Sequence, residues 1–271
     1  MLNVGKMQVT QIGIRTTSLK QELPEALQTA GRLGYDGLEV VTRDEEQIRG
    51  WLEEGGPSGA AALRAAASQA GTSISSFSLA LFRRVRFAQE DEALREEGVR
   101  LVSDTLRACR NTGGAAVLLP HFDRERLDIS TEEERLFVEG LRRVAPVAEE
   151  TGVAIAIETS FSAAQLKRIV DAVGSPKVGV YQDLANAVIY KQDPAATIRA
   201  LGQAIGMLHV KDTDGSGQAP LGEGIVDWAA CRAAVQETGY DGWFVLETPA
   251  GDDPEADAAR YLEFTRRWLT T

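Results

Sequence analysis

The chain has 271 residues, a formal net charge of −11, 44% hydrophobic and 25% charged residues. That is an ordinary soluble balance and a length sufficient for one large domain. The acidic excess, 40 Asp and Glu against 29 Lys and Arg, argues against a ligand bound through many phosphates, and no apolar run approaches the ~20 residues of a membrane helix. The opening segment MLNVGKMQVTQIGIRTT lacks the charged, apolar and small-residue succession of a secretion signal. Cys109 and Cys231 stand far apart in helical patterns, which reads as two buried thiols in a reducing cytoplasm.

Two periods alternate along the chain. Short Val- and Ile-rich runs predict strands at Val9–Arg15, Gly37–Val41, Ser73–Phe77, Ala115–Pro120, Val153–Glu158, Lys177–Tyr181, Met207–Lys211 and Trp243–Glu247. Between them, helical spacing covers Leu23–Leu33, Ala60–Ala70, Glu90–Cys109, Thr131–Glu150, Ala163–Val173, Pro194–Leu201, Trp228–Thr238 and Asp257–Trp268. Runs such as VAIAI are apolar at successive positions, as parallel strands buried on both faces require. Eight β–α units predict α/β architecture, a single (β/α)₈ TIM barrel occupying residues 1–271, with an open doubly wound sheet as the alternative.

Gly34, Gly71, Gly152 and Gly239 follow helices and precede strands, where the C′ position often requires positive φ. Leu33-Gly-Tyr-Asp-Gly-Leu-Glu39 and Thr238-Gly-Tyr-Asp-Gly-Trp-Phe244 read as one αβ turn used twice. Glu53–Gly59 reads as a loop, and no Pro- or Ser-rich linker divides the chain.

The chemistry collects at strand C-termini, where barrel enzymes carry their sites. The fifth strand ends in Glu158, the sixth near Asp183, the seventh carries His209 and the eighth ends in Glu247, at spacings of 25, 26 and 38 residues. Any one of these is more often structural: a solvated glutamate, a helix-capping aspartate, a satisfied histidine. Four on four successive strand ends make an oxygen-rich set with one nitrogen, suited to octahedral Mn²⁺, Mg²⁺ or Co²⁺ with positions left for substrate or water. Without a cation, three converging carboxylates raise one another's pKa.

Around that set lie weaker candidates. Lys211 either neutralises substrate oxygens or pairs with Asp212. Glu39 either contacts substrate or braces the barrel mouth, and His121, after Pro120, is either a substrate hydrogen-bonding group or an ordinary loop histidine. Arg83 and Arg84 read as solvated, with an anionic substrate group as the alternative. Gly222, Glu223 and Gly224 read as a tight turn, with exposed amides for an oxygen or phosphate as the alternative. The segment Leu184–Asp193 is a candidate for closure over the substrate, and Trp228 and Trp243 are expected in the core.

Gly34–Glu39, Ile157-Glu-Thr159, Gly179–Asn186, His209-Val-Lys-Asp212, Leu221-Gly-Glu-Gly-Ile-Val-Asp227 and Leu246-Glu247 together resemble the sugar phosphate isomerase/epimerase superfamily, the xylose isomerase-like barrels that include tagatose and psicose 3-epimerases and inosose dehydratases. The resemblance spans essentially the whole chain. It implies one divalent metal, Mn²⁺ first and Mg²⁺, Co²⁺ or Zn²⁺ as alternatives, held by Glu158, Asp183, His209 and Glu247. It implies proton abstraction alpha to a carbonyl of a small ketose or keto-sugar derivative through a metal-stabilised enediolate, with Glu158 and Glu247 as catalytic acid–base pair. Asn186 fills a place commonly held by His or Asn in relatives, and joins Glu39, His121 and Lys211 as substrate-binding candidates.

Isomerase or epimerase is thus the expected activity. An inosose-type dehydratase acting on a cyclitol is the alternative on the same scaffold, and a non-catalytic sugar-binding barrel the alternative of another class. An endonuclease IV-like reading needs a histidine-rich three-metal cluster, and the chain has two histidines. The partners expected are a sugar or cyclitol and, by resemblance, further copies of the chain in a homo-oligomer; neither nucleic acid nor membrane is expected.

Overall fold

The computed structural model describes residues 10–56, 58–122 and 126–271; Val9, the first residue of the first predicted strand, lies outside them. Strands β1 (Gln11–Arg15), β2 (Gly37–Thr42), β3 (Ser73–Leu79), β4 (Ala116–His121), β5 (Ala154–Thr159), β6 (Val178–Asp183) and β7 (Ile205–Val210) run side by side. A short ribbon, β8 (Asp212–Thr213) with β9 (Gln218–Ala219), precedes β10 (Trp243–Leu246), which joins β7 to β1 and closes an eight-stranded parallel barrel. The (β/α)₈ expectation is met.

Helices pack outside. α2 (Leu23–Leu33), α4 (Ala60–Ala70), α7 (Ala163–Val173), α9 (Pro194–Leu201) and α10 (Trp228–Thr238) have the predicted bounds. α5 (Glu92–Thr112), α6 (Thr131–Thr151) and α11 (Pro254–Thr270) differ from prediction by one to three residues at their ends. The short helices α1 (Thr16–Leu19), α3 (Glu45–Leu52) and α8 (Leu184–Ile189) escape the periodicity argument because one or two turns cannot display a stripe. Gly34, Gly71, Gly152 and Gly239 take φ of 90°, 69°, 75° and 67° at helix C-termini, as the punctuation predicts. No described helix is long and apolar enough to cross a membrane.

Two cores result. The larger lies between helices and the outer sheet face, and takes in both cysteines as free buried thiols. The smaller fills the barrel with Ala116, Leu118, Ala156, Tyr181, Met207 and Val245, Trp243 packing at its edge. Trp228 packs edge-to-face on Phe264 and Trp268 at 5.0 and 5.3 Å.

The inner core fixes the direction of the strand-end side chains. Strand side chains alternate faces with period two. Continuing from inward Ala156, Tyr181, Met207 and Val245, the same face next carries Glu158, Asp183, His209 and Glu247, and Lys211 follows His209. His121 falls on the opposite parity from inward Ala116 and Leu118.

Asp212, by the same alternation, points away from Lys211. Its buried carboxylate accepts from the amides of Thr213 (2.9 Å), Gly222 (2.9 Å), Gly224 (3.1 Å) and Val226 (3.2 Å), and from Trp228 Nε1 (3.2 Å). The amides at Gly222 and Gly224 therefore serve a carboxylate of their own chain. A Cβ on Gly224 would stand 2.2 Å from Asp212 Oδ1, so only glycine permits this approach. Asp212→Asn places an NH₂ against donors and is expected to cost on the order of 3 kcal/mol, since each buried donor left unsatisfied costs about 1–3 kcal/mol. Denaturant unfolding of the variant checks this; a loss below about 1 kcal/mol would show that the turn does not depend on the carboxylate.

Candidate metal centre

Four strand ends bring Glu158, Asp183, His209 and Glu247 together, and one ligand atom from each lies within 4.8 Å of the others. His209 is fully buried, Asp183 and Glu158 nearly so. His209 Nδ1 faces Glu158 Oε1 (3.3 Å), Glu247 Oε2 (3.4 Å) and Asp183 Oδ2 (3.7 Å). Its other nitrogen, Nε2, lies 3.1 Å from Glu39 Oε1. With Nε2–H donated to Glu39, the lone pair on Nδ1 is turned toward the three carboxylates. A carboxylate behind a ligating histidine fixes tautomer and ring orientation in this way.

The donor set fits a divalent cation. Ligands at opposite ends of an octahedron around Mg²⁺ stand about 4.2 Å apart, so a spread of 4.8 Å needs adjustments of only a few tenths of an ångström. Asp183 Oδ2 is buried and accepts no hydrogen bond, whereas Oδ1 accepts from the Asn186 amide at 2.7 Å as the cap of α8. An aspartate with one oxygen capping and the other without a hydrogen bond, facing His209 Nδ1 and Lys211 Nζ at 3.7 and 3.5 Å, has an oxygen available for a cation.

The expected elevation among the carboxylates holds at Glu158 and not at Asp183. Burial pushes Glu158 up, and the facing Glu247 and Asp183 carboxylates add to this against His209. Asp183 is held at about 2 because Lys211, His209 and the Asn186 amide outweigh its burial. Burial alone would raise Glu39, but His209, Arg15 and Ser76 hold it at about 2. Burial opposes protonation of His209, yet the carboxylates around it, Glu39 foremost, keep its pKa well above the imidazole value.

A cavity of about 420 Å³ opens above the cluster, lined by Arg15, Arg83, Arg86, Pro120, Phe122, Glu158, Asn186, Ile189, Tyr190, Lys211 and Glu247. That is within the usual range for a small-ligand site, roughly 300–1,000 Å³. Asn186 donates Nδ2–H to Glu158 Oε1 (3.1 Å). Lys211 reaches Glu247 (3.2 Å) and Asp183 (3.5 Å), not Asp212. The segment expected to close over substrate forms α8 and, through Ile189 and Tyr190, part of the wall.

Two candidates stand elsewhere. Glu39 is fully buried beneath His209, bonded to Ser76 (2.7 Å) and Tyr181 (2.8 Å), and does not line the cavity, so of its two readings the bracing one matches its place. His121 is 2% exposed on the outer face of β4, its ring 5.0 and 5.3 Å from those of Phe137 and Phe161. Its parity on the strand turns it away from the cavity, which leaves no room there for a substrate hydrogen bond.

Sequence reasoning missed Arg15. It ends β1, bridging Glu247 at 2.6 Å and Glu39 at 3.4 Å. The signal was its strand-end position, obscured because the search there was for metal-ligating residue types. Ser18 locks the neighbouring strand end: its hydroxyl donates to the Thr248 carbonyl and accepts from the Thr248 amide, both at 3.0 Å.

Residues 27–268 match the family model for the xylose isomerase-like TIM barrel. The chain belongs to this family. Among curated relatives, a putative L-ribulose-5-phosphate 3-epimerase, SgbU of Escherichia coli, is 29% identical over 276 residues, covering 96% of this chain and 95% of the relative. L-ribulose-5-phosphate 3-epimerase UlaE from another Escherichia coli strain is 27% identical, covering 89% of this chain and 88% of its own. Among solved structures, an L-ribulose 3-epimerase superposes with a TM-score of 0.81 at 21% identity, covering 96% of this chain and 95% of that one. A D-psicose 3-epimerase of Clostridium cellulolyticum, solved with D-tagatose, gives 0.80 at 19% identity, covering 96% and 100%. These relatives are sugar epimerases, which lends the dehydratase alternative no support.

Proposed function

We propose that the chain is a divalent-metal-dependent epimerase of a small ketose or ketose derivative. The observation that carries this reading is the convergence of Glu158 and Glu247, from strands on different sides of the barrel mouth, on the point shared by Asp183 and His209. The names of the curated relatives support the same chemistry.

When bound, a divalent metal, Mn²⁺ by our reading, with Mg²⁺, Co²⁺ or Zn²⁺ as alternatives, acidifies the C–H beside a carbonyl by withdrawing charge from the adjacent oxygens. The remaining work belongs to the protein. Glu158 and Glu247 act as the proton carriers, one removing the proton and the other delivering one to the opposite face. Burial raises the pKa of Glu158, moving it toward the range in which a carboxyl both takes and gives a proton. Glu158 Oε1 accepts from Asn186 on the side that faces His209 Nδ1, which leaves Oε2 for the substrate. Arg15 and Lys211 hold Glu247 from two sides, and Glu39 holds His209 from below. Asn186 and Lys211, on the cavity wall, are placed to meet substrate hydroxyls.

NMR in D₂O with added Mn²⁺ and a panel of ketoses tests the reading. Deuterium is expected at the carbon next to the carbonyl in both epimers, with composition otherwise unchanged. Loss of water instead would establish dehydration, and binding of sugar without any exchange would establish a non-catalytic barrel.

A further inference from the structure

Four cations line the cavity, and they differ in what already neutralises them. Arg15 is paired with Glu39 and Glu247, and Lys211 with Asp183 and Glu247. Among the described residues, neither Arg83 nor Arg86 belongs to an ion pair; the Arg83 guanidinium lies 5.7 Å from the centre of the Phe122 ring. In a chain of net charge −11, two uncompensated guanidiniums on one wall of a concave site are a local exception. Arg83 is exposed and Arg86 half-buried at the rim, so both present positive charge to an anion that enters the cavity.

Their placement is built in. Both come from the segment after β3, where Phe82, Val85 and Phe87 are at most 1% exposed and Phe82 meets Phe87 edge-to-face at 4.8 Å. Two helix-interior glycines receive this segment. A Cβ on Gly98 of α5 would stand 2.1 Å from the Val85 carbonyl oxygen, and one on Gly140 of α6 would stand 2.2 Å from the Phe87 ring. Interior helix glycine costs about 1 kcal/mol against alanine, and here two of them seat one short segment. Arg83 and Arg86 therefore project from a fixed base and not from a loose loop. Phe122 and Tyr190, stacked at 6.2 Å and 14°, line the same cavity and offer an apolar face to a carbon chain.

We infer that Arg83 and Arg86 form a phosphate subsite, so that the substrate is a short ketose phosphate with its ester on these arginines and its hydroxy-ketone over Glu158 and Glu247. Guanidinium forks match phosphate oxygens in bidentate geometry, which a sugar hydroxyl does not exploit. A sugar carboxylate shares part of this chemistry, with one charge and two oxygens. The inference rests on reading the acidic cluster as the epimerase centre.

Calorimetric titration of the full-length, Mn²⁺-loaded protein with ribitol 5-phosphate, ribitol and ribonate separates these ligands. Wild type is expected to bind ribitol 5-phosphate at least about tenfold more tightly than either other probe, and the Arg83→Gln/Arg86→Gln double variant to bring that ratio to within about twofold. A wild-type ratio near one, a ratio that survives the double substitution, or tighter binding of ribonate would each overturn the phosphate subsite. Deuterium exchange reports separately on the centre. Phosphate preference without exchange on any ketose sustains the subsite and removes the epimerase reading; exchange without phosphate preference does the reverse.

Discussion

Glu158→Gln and Glu247→Gln are each expected to lower kcat for epimerisation by roughly 10²–10⁴-fold, the contribution of a positioned acid–base group. An amide keeps the shape and cannot carry the proton. The two variants are not equivalent. Glu247 faces two cations, Arg15 at 2.6 Å and Lys211 at 3.2 Å, so neutralising it leaves positive charge without its partner and weakens metal binding as well. Glu158 accepts from Asn186 and, among the described residues, has no Lys or Arg paired with it, and its pKa is already raised, so its neutralisation disturbs the site less. Turnover therefore has to be measured at saturating Mn²⁺. A second readout divides the roles: each variant is expected to exchange the substrate proton of one epimer with solvent while forming none of the other. If either variant keeps more than about a tenth of wild-type turnover, the corresponding glutamate is not a proton carrier.

Removal of divalent metal by a chelator is expected to abolish turnover, and Mn²⁺ to restore it. The metal should also stabilise the fold, because a ligand that binds only the native state at a hundred times its Kd adds about 2.7 kcal/mol. For a chain of this size that corresponds to a rise in Tm on the order of 5 °C. The physical reason is the convergence of Glu158, Asp183 and Glu247 within the barrel mouth, with Asp183 Oδ2 lacking any hydrogen bond. The carboxylates hold the His209 pKa well above its ordinary value, so metal entry displaces a proton and apparent affinity falls as pH falls. Thermal unfolding with and without Mn²⁺ checks both halves. Unchanged Tm together with turnover that survives chelation would remove the metal from the mechanism.

Much of this site was legible before any coordinates. Glu158 and Glu247 close apolar runs, where an acid is costly without a partner, and their arrival on successive strand ends with Asp183 and His209 gives the candidate ligand set. The helix bounds followed from the 3.6-residue period and from glycines whose φ is positive in the structure. Other features were silent for definite reasons. β4 reads AVLLPH, apolar on both faces, so nothing in the letters marks Pro120 as inward and His121 as outward. Lys211 and Asp212 are adjacent and opposite in charge, which invites pairing, yet a strand sends neighbours to opposite faces. Each then found different partners, Lys211 in the cluster and Asp212 in the glycine turn.

The sequence by itself determined the alternation of strands and helices, the count of eight units and the identity of four ligand-type side chains, because these depend on local periodicity and on residue chemistry. Tertiary structure alone decided which candidates share a space. Closure of the barrel by β10 against β1 brings Arg15 to Glu247 and seats Glu39 under His209, contacts across 232 and 170 positions of chain. Docking of the segment after β3 onto Gly98 and Gly140 turns Arg83 and Arg86 toward the cavity. Such pairings are set by register and packing among distant elements, and no local pattern of residues encodes them.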